Sequence, residues 1–314
     1  MTEISIVVPV FNSSMVLPEL NSRVIECLAG IDYELILVND CSHDNSWEVM
    51  RNLAADNNRI TAINLRKNSG QDNAILAGLR HASGNYVVIM DDDLQHAPAD
   101  IITLHEKCKE GFDVVYAGFA GKKQALYKQA GSRANGTMAS VLLSKPGGIY
   151  LSPFKIIRKG VAAEIALFAG PYPYIDGIIL TITNNIGQIA VAHHERFAGK
   201  SNYSLNKSAS VMFRLFTGFS ILPLRIATIL GLAISLAGFG LAVYYLCEYF
   251  FTNHIVEGWI TLVVLIIFFG GLTIMLLGLL GEYLGRIYLT LNRKPQYSIS
   301  SIIQHRSASK EESK

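Results

Sequence analysis

Cysteine is scarce in this chain, and its four residues show no pairing. Cys27, Cys41, Cys108 and Cys247 have neither disulfide-like nor metal-like spacing, so they read as buried or neutral thiols of a reducing compartment. Glycine-rich phosphate loops are missing too. The first strand pattern, over 4–11, runs into Asn12-Ser13-Ser14 and not into G-x-G-x-x-G, and no G-x-x-x-x-G-K-[ST] occurs. Ordinary dinucleotide and P-loop chemistry is therefore disfavoured. H-E-x-x-H is absent: His193-His194-Glu195-Arg196 puts adjacent histidines on opposite faces of a strand, a poor zinc site. The net charge is only +2 and no aromatic–basic array is present, so nucleic acid is not an expected partner. Met1 leads straight into a strand pattern, and no export segment is expected.

What is present is alternation. Apolar strand patterns at 4–11, 33–38, 60–65, 86–90 and 113–117 alternate with helical patterns at 17–27, 46–55, 70–82 and 98–109. That spacing predicts an α/β fold with a mostly parallel sheet and right-handed crossovers. The fourth strand runs into Asp91-Asp92-Asp93, at the carboxyl edge where open α/β sheets bind ligands. In extended chain Asp91 and Asp93 would point the same way. Two carboxylates on one side suit a hard divalent ion, Mg²⁺ or Mn²⁺, that also holds phosphate oxygens. The plainer alternative is a solvated acidic turn with Asp93 capping the next helix.

The hydrophobic content of 50% is concentrated late. Residues 226–251 carry one charge, Glu248, and 259–281 carry none; each run exceeds the about 20 apolar residues a membrane span needs. Arg225, Arg286, Arg293 and Lys294 flank the pair, while the connection holds only Glu257. The positive-inside rule then puts both flanks in the cytoplasm. Residues 205–223 read as an interfacial amphipathic helix. The segment 119–146, with Lys128 and Arg133 among glycines and apolar residues, reads as a basic lip for an anionic lipid head group, or as a solvated loop. Arg196, Lys200 and Ser201 form a glycine-hinged basic loop suited to diphosphate.

Six stretches, in this order, carry a resemblance: Val8-Pro9-Val10-Phe11-Asn12, Val38-Asn39-Asp40-Cys41-Ser42, Lys67-Asn68-Ser69-Gly70-Gln71, Asp91-Asp92-Asp93-Leu94-Gln95, residues 196–203 and residues 280–288. The chain resembles, over nearly its whole length, the inverting family-2 nucleotide-sugar glycosyltransferases that load a polyprenyl phosphate. That implies an A-type glycosyltransferase domain, Rossmann-like, at 1–204, the interfacial helix at 205–223, two transmembrane helices within 224–286 and a cytoplasmic tail at 287–314. It implies a UDP-linked donor, an undecaprenyl-type acceptor, and a multi-pass protein of the bacterial inner membrane with both termini cytoplasmic, expected as a homo-oligomer. By resemblance Pro9, Phe11, Asp40, Asn68, Gly70, Asp91 and Asp92 bind the nucleotide-sugar, and Asp91, Asp93 and Gln95 hold the metal. Lys128, Arg133 and Ser201 are expected on the acceptor phosphate, and Asp93 and Arg196 at the reacting diphosphate.

The chain departs from the family at three places. Ser13 replaces a frequent Glu. Cys41 replaces the glycine of Asp-Asp-Gly. Pro153 stands where some members carry an acid/base, which leaves Asp176 as the remaining candidate for that role or as a brace of its turn. The competing readings are a processive polysaccharide synthase, whose Gln-x-x-Arg-Trp motif is absent, and a non-catalytic membrane scaffold of the same fold.

Overall fold

The computed structural model describes residues 2–119, 149–170, 172–191, 222–252, 258–292 and 295–304. The chain divides into two units, 1–204 with 294–314, and 205–293. The first unit is built on one eight-stranded sheet of order β7-β5-β6-β4-β1-β2-β3-β8. Its strands are β1 (Ile4–Val10), β2 (Tyr33–Asn39), β3 (Ile60–Leu65), β4 (Tyr86–Ile89), β5 (Val114–Phe119), β6 (Lys155–Arg158), β7 (Ile186–Val191) and β8 (Ile299–Gln304). The pairs β1–β2, β1–β4, β2–β3 and β5–β7 are parallel, whereas β6 and β8 run antiparallel to their neighbours. All seven residues of β1 are buried, as expected of a central strand covered on both faces.

Helices α1 (Leu17–Cys27), α2 (Ser46–Asp56) and α4 (Asp100–Lys109) cover one face. Leu20, Val24, Met50 and Leu104 pack there with Ile6, Val8, Leu35, Leu37 and Ile156 in a single core. The alternate strand residues meet α3 (Gln71–Leu79). The close approach needs Gly78, because a Cβ there would lie 2.4 Å from Val7 Cγ1. Valine is stiff at χ1 and cannot swing aside. Gly78→Ala is therefore expected to destabilise the first unit by about 1–3 kcal/mol, the usual cost of overpacking, read as a lower unfolding temperature; an unchanged temperature would mean that α3 sits farther from the sheet.

The same face carries α5 (Lys159–Ala166) and α6 (Ile175–Ile182). From the sequence, residues 171–177 read as a turn-rich aromatic segment ahead of an apolar run; the helix instead begins within it, directly after Tyr174, whose backbone is extended. The largest difference lies at the C-terminus. Residues 287–314 were expected as a tail, but β8 pairs with the edge strand β3, Ile63 facing Ile302 and Ala62 facing Ile303. Alternation accounts for it: burial follows the period of two along Ile299–Gln304, and Ile303 packs on the core. Only two or three apolar residues mark this short strand in the sequence, which makes its signal weak.

The second unit holds α7 (Leu222–Thr252) and α8 (Trp259–Leu291). Windows at Leu224–Leu241 and Phe268–Leu291 have mean hydropathies of 1.9 and 1.5 and are long and apolar enough to cross a membrane. Their large apolar side chains, such as Leu232, Leu236, Ile274 and Leu277, are exposed, unlike those of helices buried in a soluble core.

Candidate active site

The strand order reverses between β1 and β4, so the crevice outside their carboxyl ends is the switch point of the sheet. Pro9 helps to open it. Val7 O accepts from Met90 N, so residues of the same parity on β1 face β4. Pro9, two residues on, has no N–H to offer, and the β1–β4 register has already ended at Val7 and Ile89. The strand itself does not end at Pro9; it continues against β2 to Val10 opposite Asn39.

Among the described residues, three non-glycine residues adopt left-handed backbone conformations: Asn12 (φ 56°), Cys41 (φ 58°) and Leu94 (φ 56°). They follow β1, β2 and β4, at the rim of the crevice. Asparagine tolerates that region, but a branched Leu or a Cys does so at some cost. Cys41 occupies the position where the resembling family carries glycine, the residue that this φ favours.

Side chains cross-brace the rim. Asp40, buried at the end of β2, accepts from Ser69 N at 2.6 Å through Oδ1 and from Gly70 N at 2.9 Å through Oδ2. It thereby fixes the turn that opens α3, where Gly70 has φ 91°. Asn68 is exposed beside it. Asp92 Oδ2 accepts from Phe11 N at 3.2 Å and ties the β1 loop to the β4 loop. Ser13 N donates to Ser46 Oγ at 2.9 Å, and Ser14 N to Asp44 Oδ2 at 3.0 Å. Phe11 remains 42 % exposed at the mouth, with His43 edge-on at 6.1 Å.

Asp91 and Asp93 do not lie in extended chain. β4 ends at Ile89 and the acids form a turn closed by Gln95 N donating to Asp93 Oδ1 at 3.1 Å. Asp93 is not the cap of α4 either, since Ala99 precedes that helix without a side-chain cap. Asp91 Oδ1 accepts from Gln71 Nε2 at 2.7 Å. Burial first, then the charges of Asp93 and Asp92, push the Asp91 carboxyl up to about 7. Burial likewise raises Asp92. A site of hard oxygen donors whose mutual repulsion opposes ionisation fits a divalent cation well. Among the described residues no three His, Cys, Asp or Glu side chains form a closed metal cage. Asp91 and Asp93 are the residues that would hold such an ion, the small number of carboxylates that suits Mg²⁺ in phosphate-handling sites.

Deeper in the same face lies a group that the sequence reading partly missed. Lys155, first residue of β6, is buried and paired to Asp176 Oδ1. Tyr116 OH donates to the same oxygen at 2.8 Å, and the Lys155 ammonium lies 5.1 Å from the Tyr116 ring centre. Burial raises the Tyr116 hydroxyl well above its usual range. Asp72 Oδ1 accepts from Ile175 N at 3.3 Å, and burial pushes its carboxyl up to about 6. Asp176 is therefore engaged as a brace between β5, β6 and α6. A charged residue inside Phe154-Lys155-Ile156-Ile157 was the available signal for this group. Lys128, Arg133, Arg196, Ser201 and the helix expected at 205–223 lie outside the described residues.

The raised acids make stability depend on pH. With folded values of about 7 for Asp91 and about 6 for Asp72 against an ordinary 3.8, the native state binds more protons than the unfolded state between pH 4 and 7. Their contribution to stability therefore falls as pH rises through that window. His105, held below 6.5 by burial, acts the other way near neutrality. The informative quantity is thus the stabilisation by Mn²⁺ over chelator, in which His105 cancels. It is expected to grow from pH 5 to 7.5 in thermal melts and then level; an increment independent of pH would count against Asp91 as a ligand.

Residues 5–166 match the family model described as Glycosyl transferase family 2. The chain is 32% identical over 306 residues to the undecaprenyl-phosphate 4-deoxy-4-formamido-L-arabinose transferase of Proteus mirabilis, covering 96% of this chain and 94% of that protein. It is also 32% identical to YkcC of Bacillus subtilis, an uncharacterized glycosyltransferase, over 94% of this chain and 92% of that one. Among solved structures, glucosyl-3-phosphoglycerate synthase of Mycobacterium tuberculosis, in complex with Mn²⁺, uridine diphosphate and phosphoglyceric acid, shares the fold. The TM-score is 0.52 at 19% identity, over 69% of this chain and 76% of that one.

Proposed function

From the premise that the chain belongs to glycosyl transferase family 2, we propose that it transfers a sugar, with inversion, from a UDP-linked donor to undecaprenyl phosphate at the bacterial inner membrane. The observation that carries the reading is the turn Asp91–Asp93 at the β1–β4 switch point, in a chain that also carries two long apolar helices, α7 and α8. Polyprenyl phosphate transfer is what the Proteus relative is named for. Asp91 and Asp93, with Gln95 beside them, would hold Mg²⁺ or Mn²⁺, which would supply charge neutralisation for the donor diphosphate. Phe11 offers an aromatic face to the base, and Asp40, through the Ser69–Gly70 turn, shapes the wall behind it.

The acceptor is a phosphate, already anionic near neutral pH, so it needs alignment more than deprotonation. That removes the need for Asp176 as a base and agrees with its engagement by Lys155 and Tyr116. Arg133, Lys128 and Ser201 receive the acceptor phosphate, and Arg196 offers a planar pair of N–H donors to the leaving diphosphate.

The chain leaves the sheet before α7 and rejoins it at β8 after α8. Two crossings bring it back to the side it left, and Arg225, Arg286, Arg293 and Lys294 on the flanks assign that side to the cytoplasm. The test is direct: the detergent-purified full chain, with Mn²⁺ and undecaprenyl phosphate, is offered a panel of nucleotide-sugars. A lipid-linked, acid-labile phosphosugar from one of them is expected. Transfer to a growing saccharide, or nucleotide-sugar turnover that ignores the lipid, would overturn the reading.

A further inference from the structure

Lys155 is the one Lys or Arg among the described residues that is buried, at 3 % exposure. The sheet register sets where it sits. It faces Ile89 across β4–β6 and Tyr116 across β5–β6, and residues directly opposite one another in a sheet point to the same face. Ile89 is two residues before Asp91. Asp72, Asp91 and Asp176 lie within electrostatic reach of Lys155, and Asp92 and Asp93 follow Asp91 in its turn; the elements bearing the first three are hydrogen-bonded together. Gln71 in the first turn of α3 donates to Asp91, its neighbour Asp72 accepts from Ile175 at the start of α6, and Asp176 in the next position takes Lys155 and Tyr116. A surplus of negative charge on half-buried carboxylates is costly unless a cation offsets it.

We propose that Lys155 is a built-in counter-cation of the metal site: a positioning residue that offsets the carboxylates while no ion is bound, and that holds divalent-ion affinity down. The proposal rests on the reading that Asp91 and Asp93 hold the ion. Its consequence is an ion that enters and leaves with the diphosphate. The phosphate charges, added to those of the acids, overcome the repulsion from Lys155, and departure of the nucleoside diphosphate restores it. Lys155 is covalently fixed to β6, so it can neutralise the site without filling the coordination positions that substrate oxygens need.

The experiment measures Mn²⁺ binding by electron paramagnetic resonance on the full chain in detergent, without nucleotide, together with melting temperature in chelator. Lys155→Met is expected to bind Mn²⁺ on the order of tenfold more tightly, to melt at a lower temperature in chelator, and to regain most of that loss on adding Mn²⁺. Lys155→Arg, which keeps the charge, should stay within about twofold of the unaltered chain in affinity. Asp176→Asn removes a neighbouring negative charge while leaving Lys155 in place, and should weaken Mn²⁺ binding several-fold.

Opposite signs for Lys155→Met and Asp176→Asn are the signature. A residue that merely braces the fold would lower both melting temperature and affinity in both variants, and that result overturns the proposal; so does unchanged or weaker Mn²⁺ binding in Lys155→Met. If Lys155→Met does not fold, unchanged or tighter binding in Asp176→Asn overturns it instead. Absence of Mn²⁺ binding by the unaltered chain even after uridine diphosphate is added overturns both this inference and the metal-site reading. Failure of sugar transfer with the affinity pattern intact counts against the proposed reaction alone.

Discussion

Asp93→Asn is expected to lower sugar transfer by at least about 10³-fold, or about 4 kcal/mol of transition-state stabilisation, and to leave the melting temperature in chelator nearly unchanged or slightly raised. The asymmetry follows from geometry. Asp93 Oδ1 accepts from Gln95 N, and the asparagine carbonyl can accept the same bond, so the turn survives. What disappears is a negative charge beside Asp91. In the metal-free protein that charge is a burden, because it opposes ionisation of Asp91; in the proposed reaction it would hold the ion that stabilises the departing diphosphate. Assay with saturating Mn²⁺ and a chelator melt of the same preparation measure both quantities. Activity within tenfold of the unaltered chain would show that Asp93 is not a ligand, whatever its place in the sequence pattern.

Asp40→Asn is expected to do the reverse and unfold the site from below. Both Asp40 oxygens accept backbone amides at 2.6 and 2.9 Å, and the residue is 4 % exposed. Asparagine retains one acceptor and turns an NH₂ group against the other amide. Each hydrogen bond to a charged group contributes about 1.5–3 kcal/mol, and the residual N–H is left buried. A loss of about 2–4 kcal/mol is therefore expected, with released order in the turn before α3 and weaker donor binding through Gly70 and Gln71. Urea unfolding of the first unit and nucleotide titration are the measurements. A variant as stable as the unaltered chain but defective in nucleotide binding would instead put Asp40 in direct contact with the base.

These two residues show what could be read from the sequence. The alternation of strands and helices, the acids at a strand end and the two late apolar runs are periodic or local patterns, and the sheet, the turn and both long helices follow them. Asp40 is expected at the nucleotide only through the family resemblance, and its amide partners lie 29 and 30 positions away, where no local pattern announces such a pairing. The same holds for Lys155, whose partner Asp176 is 21 positions on, and for β8, whose partner strand precedes it by more than half the chain. Cys41 is a different case. Its left-handed backbone, φ 58°, is invisible in its own residue type and shows only through the glycine of the resembling family. Patterns of period two or near four encode elements; what joins distant elements is encoded in complementarity, which single positions do not display.

The antiparallel edge strand β8 also imposes an order of events during synthesis. β3 leaves the ribosome early, but its partner Ile299–Gln304 follows about 230 residues later, a delay on the order of tens of seconds at usual elongation rates. In that interval both long apolar helices emerge. Until then the β3 edge stands open, a template for pairing with any extended chain nearby. The sheet of the first unit is thus closed last, by a strand that becomes available only after both long apolar helices have been made, so that completion of the first unit waits on synthesis of the second.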